Sequence, residues 1–443
     1  MHRAQVYMVV ILSMAALMDS LGYTLLLNVL PCMVDPLDSL HFKGVEKLNP
    51  GTAYSVLQFC FVFGATICPP FIGQLSDKFG RKLVLLLCLF LVACTYFLQS
   101  LATDFWTFAV ARFLSGVSAG LRPVAIAYIS DVVHEENLRC KLITSLSLVS
   151  AFSVGLGPAF GAHLASIDRS FPFIFVMLSS MLCFFLTLFF LPCSRDLCWG
   201  NPVLSSDDEF TCPDDKKKRI YNLLIFLGFS TYFMAMTASL AFPLSLKDVF
   251  ELTSVQAGLC SVFDGPLIFA TNFAFMHYSN TLSNSCKASV IASLLFCLIW
   301  WVPVTNQLPL FLCCKYITSI AGPIVFCTLP QILVSVCPPR ICGKLAGLLT
   351  CFHGAGRLAA SILVGPLFES NPAIVYRCVA LTGLSSAIVF YLLLGRLEVY
   401  VGKIGIKTPL LCSPMTSRAP SRSISRIYAE SGTLVPFGAI RDD

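Results

Sequence analysis

Long apolar runs alternate with short polar breaks along the whole chain. The runs fall near 5–31, 52–72, 83–101, 105–130, 141–166 and 171–192, then near 220–246, 254–277, 288–304, 309–334, 341–366 and 372–395. Most reach the ~20 residues that a helix needs to cross the hydrocarbon core of a bilayer. A polar, charged segment over 193–219 separates the sixth run from the seventh. The pattern predicts an all-α membrane protein with twelve transmembrane helices in two six-helix bundles. The first bundle occupies 1–192, a central loop 193–219, the second bundle 220–396 and a tail 397–443.

Composition supports the same reading. Hydrophobic residues make up 56% of the 443 and charged residues 12%, with a mean hydropathy of +0.80. A soluble domain carries about 25% charged residues, because water must wet its surface. A soluble enzyme, a disordered protein, a collagen and a secreted disulfide scaffold are all excluded on this ground. The first run follows Met1, His2 and Arg3 and is too long for the apolar core of a cleaved signal, so it is expected to be the first span.

The net charge of +6 is a matter of topology rather than of nucleic-acid binding. Lys78, Arg81, Lys82, Arg139, Lys141, Lys216 to Arg219, Lys287, Arg340, Lys344 and the basic tail fall on the side of the termini. The positive-inside rule then places both termini and the central loop in the cytoplasm. Either the plasma membrane or an organelle membrane fits. The Ser-rich, basic tail after Arg396 is expected to be disordered. Most of the 21 cysteines lie in apolar runs, where cysteine acts as a small hydrophobe. Cys193, Cys198 and Cys212 share the central loop without histidine partners, so neither metal nor cofactor is expected.

A weak internal repeat links the halves. Arg112 and Lys315 each come early in the fourth span of their half, and Lys141 and Lys344 each open the fifth. Both pairs are 203 positions apart. Transporters built from two related halves place their site between them.

Several stretches carry a family resemblance. Gly73-Gln74-Leu75-Ser76-Asp77-Lys78-Phe79-Gly80-Arg81-Lys82 lies between the second and third spans. Gly73 is expected to let helix ends approach, Gly80 to form a tight turn, and Asp77 to make charge-assisted bonds among the cations around it. The stretch resembles motif A of the major facilitator superfamily, with Lys78 where arginine is usual. Leu21-Gly22 followed by Asn28-Val29-Leu30-Pro31 resembles the first-helix motif of the twelve-helix drug/proton antiporters. The run from Phe108 to Gly116 is similar to motif B, and that from Ser153 to Ala162, with Gly157, Pro158 and Gly161, is similar to antiporter motif C. Asp131 and Arg139 resemble the paired residues of the loop between the fourth and fifth spans. The order of these pieces over about 15–165 resembles the tetracycline-efflux branch and its animal relatives. Beyond 192 only hydropathy and an echo over Gly343 to Pro366 extend the likeness, and the segment from His277 to Lys287 lacks the acid and the Gly-Arg-Lys of motif A.

The resemblance implies the major facilitator fold, two pseudo-symmetric bundles that rock about a midplane site. It implies a cytoplasmic gate formed by Gly73, Asp77, Gly80, Arg81, Lys82, Asp131 and Arg139, and a proton-coupling role for Arg112, whose alternative is snorkelling to the interface. Gly157, Pro158 and Gly161 would give the fifth span close packing and a kink.

Charges placed within apolar runs cost several kcal/mol, so they usually face a polar cavity. Asp19, Asp264 and Arg357 lie near the middle of their runs, and His353 sits one turn from Arg357. A carboxyl group so placed can load and release a proton as its surroundings change. Asp19, Asp264, Arg112 and His353 are therefore candidates for proton coupling; the alternative for the two acids is a structural pair. Asn28, Arg122, Lys315 and Arg357 are candidates for the substrate cavity. An excess of cations there leaves room for an anionic solute.

The expected function is secondary active transport of a small organic solute by alternating access, with proton antiport of the efflux type. The alternatives are proton-independent movement of an organic anion and a transporter-like sensor that binds without transport. Enzyme activity has no motif to support it. The expected partners are the solute, protons and the lipid bilayer, and the chain is expected to act as a monomer.

Overall fold

A computed structural model describes residues 2–35, 43–44, 48–132, 136–192, 215–278, 282–301, 307–336 and 339–404. Cys193, Cys198, Cys212, most of the central segment and the tail beyond 404 lie outside these residues.

The first half holds α1 (His2–Thr24), α2 (Leu30–Val34), α3 (Pro50–Phe79), α4 (Arg81–Leu101), α5 (Phe105–Val117), α6 (Leu121–Val132), α7 (Glu136–Ile167) and α8 (Phe171–Phe190). The second holds α9 (Asp215–Asp248), α10 (Ser254–Ser261), α11 (Asp264–Tyr278), α12 (Leu282–Leu295) with a 3-10 turn over Phe296–Trp301, α13 (Leu308–Val336), α14 (Pro339–Ser370) and α15 (Pro372–Ile404). Strands are absent among the described residues, apart from a single bridge between Lys43 and Asp104. Among the described residues, nine helices are long and apolar enough to cross a membrane, and Met8–Thr24 and Ser283–Ile299 are shorter apolar helices. In hydrocarbon a helix satisfies its own backbone, which is why these runs fold this way. Phe71, Leu101, Phe189 and Tyr391 are each more than 60% exposed and form part of an apolar outer surface.

Three runs that the pattern reads as continuous are broken. Residues 25–29 turn between α1 and α2, residues 118–120 between α5 and α6, and residues 262–263 between α10 and α11. Pro31 follows the first break and Pro123 the second, and a proline ring removes a helical donor just where the chain turns. The stretch from Gly73 to Lys82 is the opposite case. It is not a loop: α3 runs through Phe79, and Gly80 alone, at φ 98°, joins it to α4. A positive φ is the reason for glycine at that position. No other residue in the stretch breaks a helix, so the helix continues past the apolar run.

Packing repeats between the halves. α1 packs on α7 and α8, as α9 packs on α14 and α15; α3 packs on α5, as α11 packs on α13; α4 packs on α8, as α12 packs on α15. The halves meet where α3 lies on α14 and where α7 lies on α10 and α11. At the second contact a Cβ on Gly155 would come within 2.6 Å of the Gly265 amide nitrogen, so the backbones nearly touch. We call the end where α1 finishes and α3 begins the distal face, and the end around Gly80 the proximal face.

Candidate functional site

Asp19, in the second half of α1, brings the halves into electrostatic contact. The charges that reach its carboxyl are those of Arg122, on α6, and Arg357, on α14. One acid and one guanidinium of the first bundle therefore lie within electrostatic reach of a guanidinium of the second. All three are half-buried.

Next to Arg357 the wall is aromatic. His353 stacks on Tyr232 of α9, with ring centroids 4.1 Å apart, and Tyr232 packs on Phe326 of α13 at 4.6 Å. The His353 Nε2 makes no hydrogen bond. Across from them, Tyr23 of α1 stacks on Phe61 of α3 at 5.2 Å.

Arg112 is fully buried, at 0% exposure. Burial that complete rules out the snorkelling alternative in this conformation. Its guanidinium lies over the Phe61 ring, 4.7 Å from the centroid, and none of its three nitrogens has a hydrogen-bond partner. The ionisable groups whose fields reach it are Tyr96, Tyr23, Tyr54 and Cys60, none of them a carboxylate.

Asp264 and Lys315, expected in separate roles, form one pair. Asp264 opens α11 just after the break in the eighth run, and its Oδ2 lies 3.2 Å from the Lys315 Nζ of α13. The Ser319 hydroxyl donates to Asp264 Oδ1 at 2.7 Å and accepts from Lys315 Nζ at 3.2 Å. Lys315 also lies over the Phe242 ring, 5.1 Å from the centroid.

The repeat explains the contrast between the two cations. Arg112 and Lys315 are 203 positions apart, and so are Phe61 and Asp264. The same place in each half thus holds a cation over a benzene ring in the first and a cation against a carboxylate in the second. Sequence reasoning paired the cations but not the residues they face.

Asn28 is buried and its amide donates to the Ser261 hydroxyl of the other half at 3.4 Å. In α7, a Cβ on Gly157 would strike the Thr24 hydroxyl and one on Gly161 the Leu25 carbonyl. These glycines thus set α7 against the distal end of α1, while the Pro158 carbonyl lies against Gly258 of the other half. Gly258 and Gly265, which pack against α7 from the other half, were not singled out from the sequence. Spacing in a single half gives no signal for them.

At the proximal face Arg81 gathers some of the residues expected to form a gate. Its Nη1 lies 2.5 Å from Asp77 Oδ1 and donates to the Ser76 hydroxyl, and its Nε donates to Asp131 Oδ2 at 2.8 Å. Lys82 donates to the Leu188 carbonyl at 2.9 Å. Among the described residues, no other element comes within 4 Å of where a Cβ on Gly73 would stand, so the expected close helix approach is not seen there. Arg139 lies in the first turns of α7, with its side chain outside the described residues. Among the described residues, no group of three or more histidine, cysteine or acidic side chains is placed to hold a metal.

Comparison with known proteins bears on the fold and the family. Residues 12–361 match the Major Facilitator Superfamily. The class H tetracycline resistance protein of Pasteurella multocida is 29% identical over 41% of this chain and 44% of its own length. The multidrug resistance protein MdtG of Proteus mirabilis is 30% identical over 54% and 58%. A human protein named major facilitator superfamily domain-containing protein 10 is 31% identical over 35% and 38%. The matched region spans less than two thirds of each of these relatives. The crystal structure of the human organic anion transporter MFSD10 (TETRAN) superposes with a TM-score of 0.63 at 19% identity, covering 88% of this chain and 99% of that one, which shows a shared fold.

Proposed function

This chain belongs to the Major Facilitator Superfamily, and from that membership we propose that it carries a small organic solute across a bilayer by alternating access, with proton antiport in the efflux direction. It is an integral, multi-pass membrane protein, of a family of transporters rather than enzymes. In this reading twelve spans form the two bundles, and both termini lie in the cytoplasm.

The observation that supports the proposal is the electrostatic reach of Arg122, in the first half, and of Arg357, in the second, to the carboxyl of Asp19. A charge cluster inside a membrane protein is costly unless it lines a polar path. Shared between two bundles, it changes its contacts whenever they rock. Asp19 can then take up a proton when the guanidiniums move away and lose it when they return. The Asp264–Lys315 ion pair lies within the second half. Among the described residues, Arg112 has no carboxylate beside it with which to trade a proton in this conformation. The tetracycline and multidrug resistance names of the relatives support efflux of a small organic compound.

A second reading has its own support. Arg122 and Arg357 outnumber Asp19 at the interface, and guanidiniums bind carboxylates bidentately. An organic anion moved without proton coupling fits that balance, as does the printed name of the structural neighbour. Flux measured in proteoliposomes with and without a pH gradient separates the two. Antiport requires faster solute movement under the gradient; the second reading requires equal rates.

A further inference from the structure

We propose that Glu369 is the latch that closes the distal face, and that the solute path opens to that side only when its bonds break. The proposal rests on the alternating-access reading and names the residue that holds one of its end states.

Glu369 stands in the last turn of α14, in the second half. Its three partners all belong to the start of α3, in the first. Oε1 accepts from the Thr52 backbone N–H at 2.7 Å. Oε2 accepts from the Thr52 hydroxyl at 3.0 Å and from the Asn49 amide at 3.1 Å. The first amides of a helix have no acceptor within it. A side chain at the helix start usually supplies one, but Asn49, at that position, makes no capping bond of its own. The carboxylate of the opposite bundle does so instead. A negative charge there is also favoured by the helix dipole. The cap of α3 is thus contributed by the other half.

The helices are built to meet at this point. A Cβ on Gly365 would collide with the Gly51 carbonyl, and one on Gly51 would stand 3.0 Å from the Glu369 Cγ. The Gly365 N–H donates to the Ser55 hydroxyl at 2.7 Å. A second arm lies beside the first. Lys247, at the end of α9, meets Asp35 at 2.8 Å and donates to the Pro31 carbonyl at 2.8 Å. Asp248 feels the charges of Lys247, Asp35 and Glu369 together, so both arms belong to one charged patch. If the bundles part at this face, the bonds of Glu369 must break and α3 loses its cap. At the opposite face, by contrast, Asp77 pairs within its own half.

The test is backbone hydrogen exchange on the full chain in detergent, which needs no identified solute. Glu369→Ala is expected to speed exchange at residues 51–55 and 365–370 by about tenfold or more, as loss of charged hydrogen bonds implies. Glu369→Gln, which keeps an acceptor of nearly the same shape, is expected to speed it less. Exchange over 76–81 and 121–129 should stay as in the unaltered chain. Unchanged exchange at 51–55 in Glu369→Ala would overturn the latch, and so would an equal rise at both faces, which signals general loosening. Tetracycline flux in proteoliposomes keeps the two proposals apart. Faster distal exchange in a chain that moves no solute supports the latch and counts against transport. Flux in the unaltered chain with exchange indifferent to Glu369 supports transport and overturns the latch.

Discussion

Replacing Asp264 with asparagine removes the carboxylate that Lys315 meets at 3.2 Å. At an effective dielectric constant near 20, two unit charges at that distance attract by about 5 kcal/mol before desolvation is counted. The side chains are 18% and 5% exposed for Lys315 and Asp264, so salt screens little of this. After the change, the ammonium keeps only the Ser319 hydroxyl at 3.2 Å and the Phe242 ring at 5.1 Å. Breaking one side of a buried pair costs about 3–5 kcal/mol, because the other charge is left without a partner. Removing both charges avoids that penalty. Asp264→Asn with Lys315→Gln is therefore expected to be at least about 2 kcal/mol more stable than the sum of the single changes implies. Denaturant unfolding of the four proteins in detergent, followed by tryptophan fluorescence, gives the double-mutant cycle. Single variants that add to within about 0.5 kcal/mol would refute the reasoning, since that is the behaviour of residues that do not interact.

Asp77→Asn removes one of the two carboxylates on Arg81 while Asp131 remains; turnover should slow with folding and ligand binding near normal, and unchanged flux would reduce this stretch to a topology signal. Arg357→Gln should weaken binding of an aromatic carboxylate by about 1–3 kcal/mol, the worth of a charged hydrogen bond, as read by titration calorimetry. If the arginine serves mainly to hold Asp19, affinity will stay and the pH dependence of flux will move instead. Epitope tags at residue 1, near 207 and at 443 should be reached from one side of the membrane, and a tag reached only from the other side would contradict the twelve-span topology.

Hydropathy carried most of the fold, because a bilayer leaves the backbone few options. It could not show the breaks at 25–29, 118–120 and 262–263, since a helix that turns inside a bundle keeps its apolar composition. It also ended the third helix too early, because Gln74, Ser76, Asp77 and Lys78 are polar yet helical. Candidate residues were legible where a charge stood in an apolar run, as with Asp19, Asp264 and Arg357. Their partners were not. Lys315 was expected in a cavity, and the sequence gives no distance between α11 and α13 to reveal that it faces Asp264. Glu369 escaped notice because an acid at the end of a span reads as a solvated end, and its partners lie more than 300 positions earlier. Phe61 carries no chemical signal of its own; only the position of Asp264 in the other half marks it.

The central claim is that charges shared between the bundles couple solute movement to protons. Proteoliposomes holding the purified chain, offered a panel of tetracycline, aromatic carboxylates and amines, test it most directly, with internal pH recorded alongside flux. A pH gradient should drive at least one solute, with protons moving the opposite way. Asp19→Asn should abolish the drive while solute-for-solute exchange partly survives, since asparagine cannot release a proton. Solute movement that ignores the gradient in the unaltered chain, or proton movement that persists in Asp19→Asn, would contradict the account.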